Sequence, residues 1–500
     1  MIPLMVAFPL LFGFIIVILD TLRARKVLIK GAFITGAVLP AGIFVLNNGR
    51  AEIVGGWDRV AGIEVGIGGI NEPFIAGELM LFTVVALYSI SYFDFRDKKT
   101  PKALVLFLLM HSGLLGAFIA RDFFNFYIYM EIASVSAFAL VAFSDDPGSK
   151  KAAFKYLLLS LLASYLFIFA IGLIYMETGY LNVELVAENA LPSRELNVAL
   201  GIAFASLLLK AGIFPLHGWL PNAHSVAPTP ASALLSGIVV KAPAYGMILL
   251  FSALPVGESL KTVALAVAVA SIFFGIVMML PQRDAKRFLA YSTVSQMGYV
   301  LIGVATFNFT GAAYYALAHS LAKGGLFLGV GSLGRKSRKL GEFGYRNAPL
   351  MAFSVLMLSL AIGGISPLVG SYAKGLLSSS LPGDWNWLIP LGTLGTMIAF
   401  TGLNYHMLGR ESPEIKPSWE PPSLALALLT LAAGIYLGAG LKLADVIYIA
   451  AAVPGFFALK KLGIPEVELE VKRNRVGEEI NVLAAVFVTF MLTVLLLQWS

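Results

Sequence analysis

LLLKAGIFPLHGWLPNAHSVAPTPASALLSGIVVKAPAY, from Leu207 to Tyr245, decides how the rest of the chain is read. It sets Lys210 and Lys241 inside two apolar segments, one on either side of a proline-rich connection. A lysine at the centre of a membrane helix costs ~2.5 to 3.5 kcal/mol even on a lenient insertion scale, so such residues are kept for holding or moving ions. Pro215 removes a backbone donor and is expected to break the first segment by freeing the carbonyl of Ala211. Broken backbone at membrane depth survives only where protein buries it or a hydrated cavity receives it. Pro243, just after Lys241, is expected to make a second break.

Outward from this stretch the chain stays apolar. Of its 500 residues 58% are hydrophobic and 13% charged, more apolar surface than a soluble core can cover, so the fold class is an all-α polytopic membrane protein. Sixteen apolar windows have the roughly 17 to 25 residues needed to cross a bilayer. They centre near 2–19, 27–46, 74–93, 103–120, 123–143, 152–176, 196–216, 230–253, 261–280, 288–306, 311–333, 349–377, 386–408, 422–440, 443–459 and 480–498. The last three are the least sharply bounded, which puts the count at 14–16 spans. The first window lacks a basic start and reads as a retained span rather than a signal peptide.

The net charge of +7 follows the spans rather than marking a nucleic-acid surface. Basic clusters such as Arg23, Arg25 and Lys26, or Lys98, Lys99 and Lys102, follow all but two of the odd-numbered spans, whereas the loop after the sixth carries Glu177, Glu184, Glu188 and Glu195. Under the positive-inside rule both termini should face outward, with the chain multi-pass in the cell membrane. The segment 47–72 reads as a small external hairpin, and Lys460–Glu479 as a charged connector with strand-like alternation and little mechanistic weight. There is no cysteine, which excludes a disulfide framework, thiolate-held iron–sulfur clusters and Cys-ligated zinc. No cofactor or metal is expected on this chain, and redox or hydrolytic chemistry would belong to a partner.

Taken in order, the first three spans show no buried charge to single out and read as scaffold. His111 in the fourth suits packing as well as it suits a relay. The fifth, RDFFNFYIYMEIASVSAFALVAF, carries Glu131 with no acidic neighbour, and an isolated carboxylate there needs a cation or a proton. Lys210 in the seventh span supplies the cation. In the eleventh, His319 and Lys323 stand at i, i+4 and share a face. A protonated lysine has no lone pair, so this pair suits a proton or hydrated-ion relay better than a metal. Lys374 follows Pro367 in the twelfth and should lie about 10 Å beyond that break at 1.5 Å per residue.

The two prolines belong to an internal echo. Gly212-Ile213-x-Pro215-Leu216-x-Gly218 matches Gly364-Ile365-x-Pro367-Leu368-x-Gly370, and more weakly Ser160-Leu161 and Leu166-Phe167 match Ser320-Leu321 and Leu326-Phe327. Both matches fall five spans apart. A repeated unit of five spans must return in the opposite orientation, and paired broken helices in corresponding halves point to a transport site. The expected organisation is residues 1–102 as N-terminal spans, 103–253 as a first five-helix repeat, 254–408 as an inverted second, and 409–500 as C-terminal spans.

The run PLHGWLPNAHSVAPTPASALLSG, HSLAKGGLF and the second break with its lysine resemble the antiporter-like subunits shared by Mrp-type Na+/H+ antiporters, archaeal membrane-bound hydrogenase-type complexes and respiratory complex I. The chain's length and Lys374 look like an Mrp D-type or archaeal hydrogenase-type member. The resemblance implies ion translocation, of H+ or of Na+ against H+, by a subunit of a larger, possibly redox-driven complex. It implies other membrane subunits as partners, a peripheral iron–sulfur oxidoreductase arm, and surrounding lipid. It also implies roles for Glu131 and Lys210 as an interacting pair, Lys241 as the next relay group, His319 and Lys323 as the link to the second half, and Lys374 as the terminal residue. His217, His224 and Gln296 are secondary positions, Gln296 standing where several relatives place a histidine. The alternatives are a free-standing transporter for a small solute, a membrane-embedded transferase, for which no loop shows paired carboxylates at His spacing, and a diheme cytochrome, for which the five histidines lack two co-facial pairs.

Overall fold

The computed structural model describes residues 1–412, 415–464 and 476–499. Helices α1 (Leu4–Thr21), α2 (Lys26–Leu46) and α3 (Glu72–Tyr92) carry the first three windows, and strands β1 (Ala51–Val54) and β2 (Ile63–Gly66) pair antiparallel between α2 and α3, forming the expected hairpin. The next five windows fall on α4 (Thr100–Ile119), α5 (Phe123–Ala142), α6 (Ser149–Thr178), α8 (Arg194–Ala211) and a helix assembled from α10 (Thr229–Leu234), a π turn at Leu235–Val239 and α11 (Lys241–Ala253). Two short helices, α7 (Val183–Asn189) and α9 (Leu220–Val226), link them. Then come α12 (Glu258–Met279), α13 (Ala285–Ala305), α14 (Phe309–Leu333), the broken pair α15 (Pro349–Gly363) and α16 (Val369–Ser378), and α17 (Leu388–Met407). The chain closes with α18 (Glu420–Tyr436), α19 (Leu443–Lys461) and α20 (Val476–Trp499). Each of the sixteen windows thus falls on a helix, and among the described residues eleven helical segments are long and apolar enough by themselves to cross a membrane. The strand-like alternation expected in the connector lies at 465–475, outside the described residues.

Connections gather on two opposite faces. On one, Arg338 after α14 reaches Asp146 after α5 at 3.1 Å, Asp284 after α12 at 3.2 Å and the Ser225 carbonyl at the end of α9. On the other, Arg59 of the hairpin meets Glu64 at 2.9 Å and also Glu184, which Arg121 before α5 approaches at 3.3 Å. Between these faces the most apolar 18-residue stretches within Thr229–Ala253 and Ala285–Ala305 are wholly buried, and α14 is nearly so.

Local chemistry fixes where the helices begin. Asp122 caps α5 by accepting from the Asn125 N–H at 2.7 Å. Burial pushes its carboxyl above the ordinary value, and the hydrogen bonds from Asn125 oppose that. Asp122→Ala is expected to cost about 1 kcal/mol, read as a lowered unfolding midpoint.

The breaks differ in cause from the sequence expectation. Helix α8 ends at Ala211 because Gly212 takes the left-handed conformation (φ 65°), with Ile213 N–H on the Leu208 carbonyl at 3.2 Å. Helix α15 ends in the same way at Gly364 (φ 82°), with Ile365 N–H on Leu360 at 3.1 Å. Pro215 and Pro367 follow these caps, each after a cis peptide bond, so the glycines stop the helices and the prolines lie beyond them. Pro243 makes no break. It lies in the first turn of α11, and its missing N–H would have addressed Val239, the last residue of the π turn, so the irregularity precedes the lysine instead of following it.

Candidate functional site

The first break places Lys210 one residue from the end of α8, with its side chain turned between α5 and α6. Its ammonium donates to Glu131 Oε1 at 2.5 Å, Ser160 Oγ at 3.2 Å and Ser134 Oγ at 3.3 Å, while Ser164 Oγ donates to the same carboxylate oxygen at 2.5 Å. Only 6% of Lys210 is exposed. The end of α8 is held by Trp219, whose indole N–H donates to the Leu209 carbonyl at 2.8 Å and whose ring stacks on Tyr156 at 4.2 Å.

From the π turn onward the row is carried by α11, α13 and α14. The Lys241 ammonium meets His319 Nδ1 on α14 and donates to the Ser236 carbonyl; the Ser236 hydroxyl in turn pairs with Thr293 on α13 at 2.7 Å. Four residues along α14, Lys323 donates to the Leu289 carbonyl at 2.7 Å and lies 5.8 Å from the Phe400 ring centre. His319 and Lys323 therefore share a face, as the spacing predicts, but answer to different helices. On the same α14 face Tyr315 donates to Gln296, whose amide points to Thr396 at 3.4 Å. Tyr299, one turn beyond Gln296, packs on Tyr315 at 5.1 Å and lies under the Lys374 ammonium at 4.7 Å. Lys374 does not stand away from the break as the rise per residue suggests. Its side chain folds back to donate to the Gly363 carbonyl at 2.8 Å and to Thr393 Oγ1 at 2.9 Å.

The secondary histidines divide. His217 lies among Phe214, Phe274 and Tyr291, off the row. His224 is fully buried and stacks on Phe327 at 4.8 Å, one turn along α14 from Lys323. A charged cavity of about 470 Å3 opens nearby, lined by Asp146, Lys155, Ser225, Asp284, Arg287 and Glu479 among others. Among the described residues no group of three or more His, Asp or Glu side chains is placed to hold a metal ion.

Glu78, Lys155 and Asp445 are buried and escape the sequence reading. Glu78, on a span that reads as scaffold, is fully buried and pairs with His111 at 2.7 Å beneath the stacked ring of Phe82. The rule that singles out Glu131 applies equally to Glu78, a lone carboxylate inside an apolar window. Lys155 on α6 is 4% exposed and pairs with Glu479, so the end of the charged connector is tied to α6. Asp445 on α19 reaches the second break. On the α3 side of the row, Leu81 is wedged against two glycines: a Cβ on Gly237 would lie 2.2 Å from Leu81 Cδ2, and one on Gly324 2.1 Å from Leu81 Cδ1.

Residues 120–399 match the family profile described as NADH:quinone oxidoreductase/Mrp antiporter, transmembrane, which is more than half of the chain. The chain belongs to this family. Among the family's curated relatives it is 33% identical over 398 residues to NADH-quinone oxidoreductase subunit N of Desulforudis audaxviator, covering 73% of this chain and 78% of that one. It is 26% identical over 389 residues to a Na+/H+ antiporter subunit of Alkalihalophilus pseudofirmus, with 73% and 77% covered. In fold it resembles a chain of the membrane-bound sulfane sulfur reductase, an archaeal respiratory membrane complex, at a TM-score of 0.78 and 24% identity, over 96% of this chain and 99% of that one. The family segment contains Glu131, Lys210, Lys241, His319, Lys323 and Lys374. Glu78, His111, Asp445 and Glu479 lie outside it.

Proposed function

We propose that this chain is an ion-translocating subunit, moving H+ or exchanging it for Na+, within a multisubunit redox-driven or Mrp-type complex of the cell membrane. The observation that carries this is the Glu131–Lys210 pair followed by Lys241 on α11 against His319 on α14, Lys323 on α14 and Lys374 on α16. Glu131 and Lys210 act as a coupled pair. With the carboxylate against it the ammonium's charge is compensated; drawn apart, a buried unpaired charge costs several kcal/mol, which favours passing the proton towards Lys241. The relatives' names support the assignment.

Residues 103–253 and 254–408 form two units of opposite orientation in this reading, supported by the like-built glycine caps at Gly212 and Gly364. The termini face outward. The Met1 ammonium pairs with Glu52 of the hairpin, so the N-terminus shares the face opposite the Arg338 cluster. The exposed apolar sides of α1, α19 and α20 suit contact with lipid or neighbouring subunits.

Lys241→Met in the assembled complex is expected to reduce ion-driven ΔpH formation in sealed inverted vesicles to background while leaving assembly intact. Transport at the wild-type rate would sink the proposal. Co-purification from native membranes with mass spectrometry identifies the partners.

A further inference from the structure

The acid that answers Lys210 lies within the first repeat, on α5. At the second break the Lys374 ammonium rests on two neutral oxygens, Gly363 O and Thr393 Oγ1. The carboxylate here comes from outside both repeats. Asp445, in the first turn of α19 and 7% exposed, accepts from the Ser366 backbone N–H at 2.7 Å and from the Ser366 hydroxyl. Ser366 immediately precedes Pro367. At the matching place in the first break, Phe214 N–H donates to the neutral Ser271 hydroxyl at 3.3 Å. Lys442, one turn ahead of Asp445, adds its own N–H to Ser366 Oγ at 3.0 Å and its ammonium to the Ser371 carbonyl at 3.4 Å. Asp445 and Lys374 therefore attach to the same break three residues apart, Asp445 at Ser366 and Lys374 at Gly363.

A buried carboxylate is expensive, and an asparagine would accept the same two hydrogen bonds without that cost. What only the aspartate supplies is charge beside the break. We propose that Asp445 is the acidic counter-group of the second break, a positioning residue through which α19 sets the charge at Lys374 and so governs the terminal step of translocation. This rests on the ion-transport reading above. It gives the two breaks the same logic, a lysine answered by an acid, with the second acid supplied by the C-terminal helices.

The test compares Asp445→Asn, Asp445→Glu, Ser366→Ala, Lys374→Met and the Asp445→Asn/Lys374→Met double variant in the assembled complex in sealed vesicles, with Lys210→Met as a reference. Asp445→Asn is expected to lower transport as far as Lys374→Met does, Asp445→Glu to restore most of it, and the double variant to be no slower than Lys374→Met alone. Ser366→Ala, which removes one hydrogen bond to Asp445 and leaves its charge, should lose less transport than Asp445→Asn, and the recovery in Asp445→Glu, which keeps the charge, keeps the test decisive if Asp445→Asn does not assemble. Wild-type transport in Asp445→Asn, a multiplied loss in the double variant, or loss in Ser366→Ala to the level of Lys374→Met would each overturn the proposal. If Lys210→Met and Lys374→Met both transport normally, the ion-transport reading itself fails, and the role of Asp445 falls with it.

Discussion

Glu131→Gln and Lys210→Met are each expected to abolish ion transport and to lower the stability of the folded subunit, while the double variant recovers stability without recovering transport. Removing one partner of a buried pair leaves the other uncompensated, at a cost of about 3–5 kcal/mol, whereas removing both is often close to neutral. The surroundings fit that expectation. Lys210 has two hydroxyls, Ser134 and Ser160, as its other partners, and neither brings charge. Thermal unfolding of the solubilised complex, followed beside ΔpH formation in vesicles, separates the two effects. Equal stability in single and double variants would show that the pair does not act as a unit.

A comparably large effect is expected at a residue that carries no charge itself. Gly434 on α18 packs against the backbone of the second break: a Cβ there would lie 2.1 Å from the Pro367 carbonyl oxygen and 2.7 Å from the Val369 nitrogen. Backbone cannot swing aside as a side-chain end can. Gly434→Val is therefore expected to cost about 1–3 kcal/mol, the usual range for overpacking, and to displace the start of α16. Lys374 would then lose its seat on Gly363 O, and transport would fall with it. Gly440→Ala, where a Cβ meets nothing within 4 Å, is the matched control and should leave both properties unchanged. Normal transport in Gly434→Val would show that the break tolerates movement.

The sequence is readable wherever rarity carries the signal. A lysine or glutamate inside an apolar window is costly enough to stand out, which is why Glu131, Lys210, Lys241 and Lys374 are legible before any helix is placed. Glu78 is equally legible, and treating its span as scaffold passes over it. The prolines are visible, but what stops α8 and α15 is a glycine cap, and what distorts the helix before Lys241 is a π turn; both depend on backbone geometry that composition does not display. The partners of Lys155 and of the second break are hidden for another reason. Glu479 and Asp445 sit far along the chain, and only the packing of α20 on α8 and of α19 beside α17 brings them close.

Leu81 carries a last consequence. Its two methyl groups occupy the hollows left by Gly237 on the π turn and Gly324 on α14. A side chain at either glycine would drive Leu81 out of its hollow, so the seating of this one leucine fixes how closely α3, the π turn and α14 approach one another.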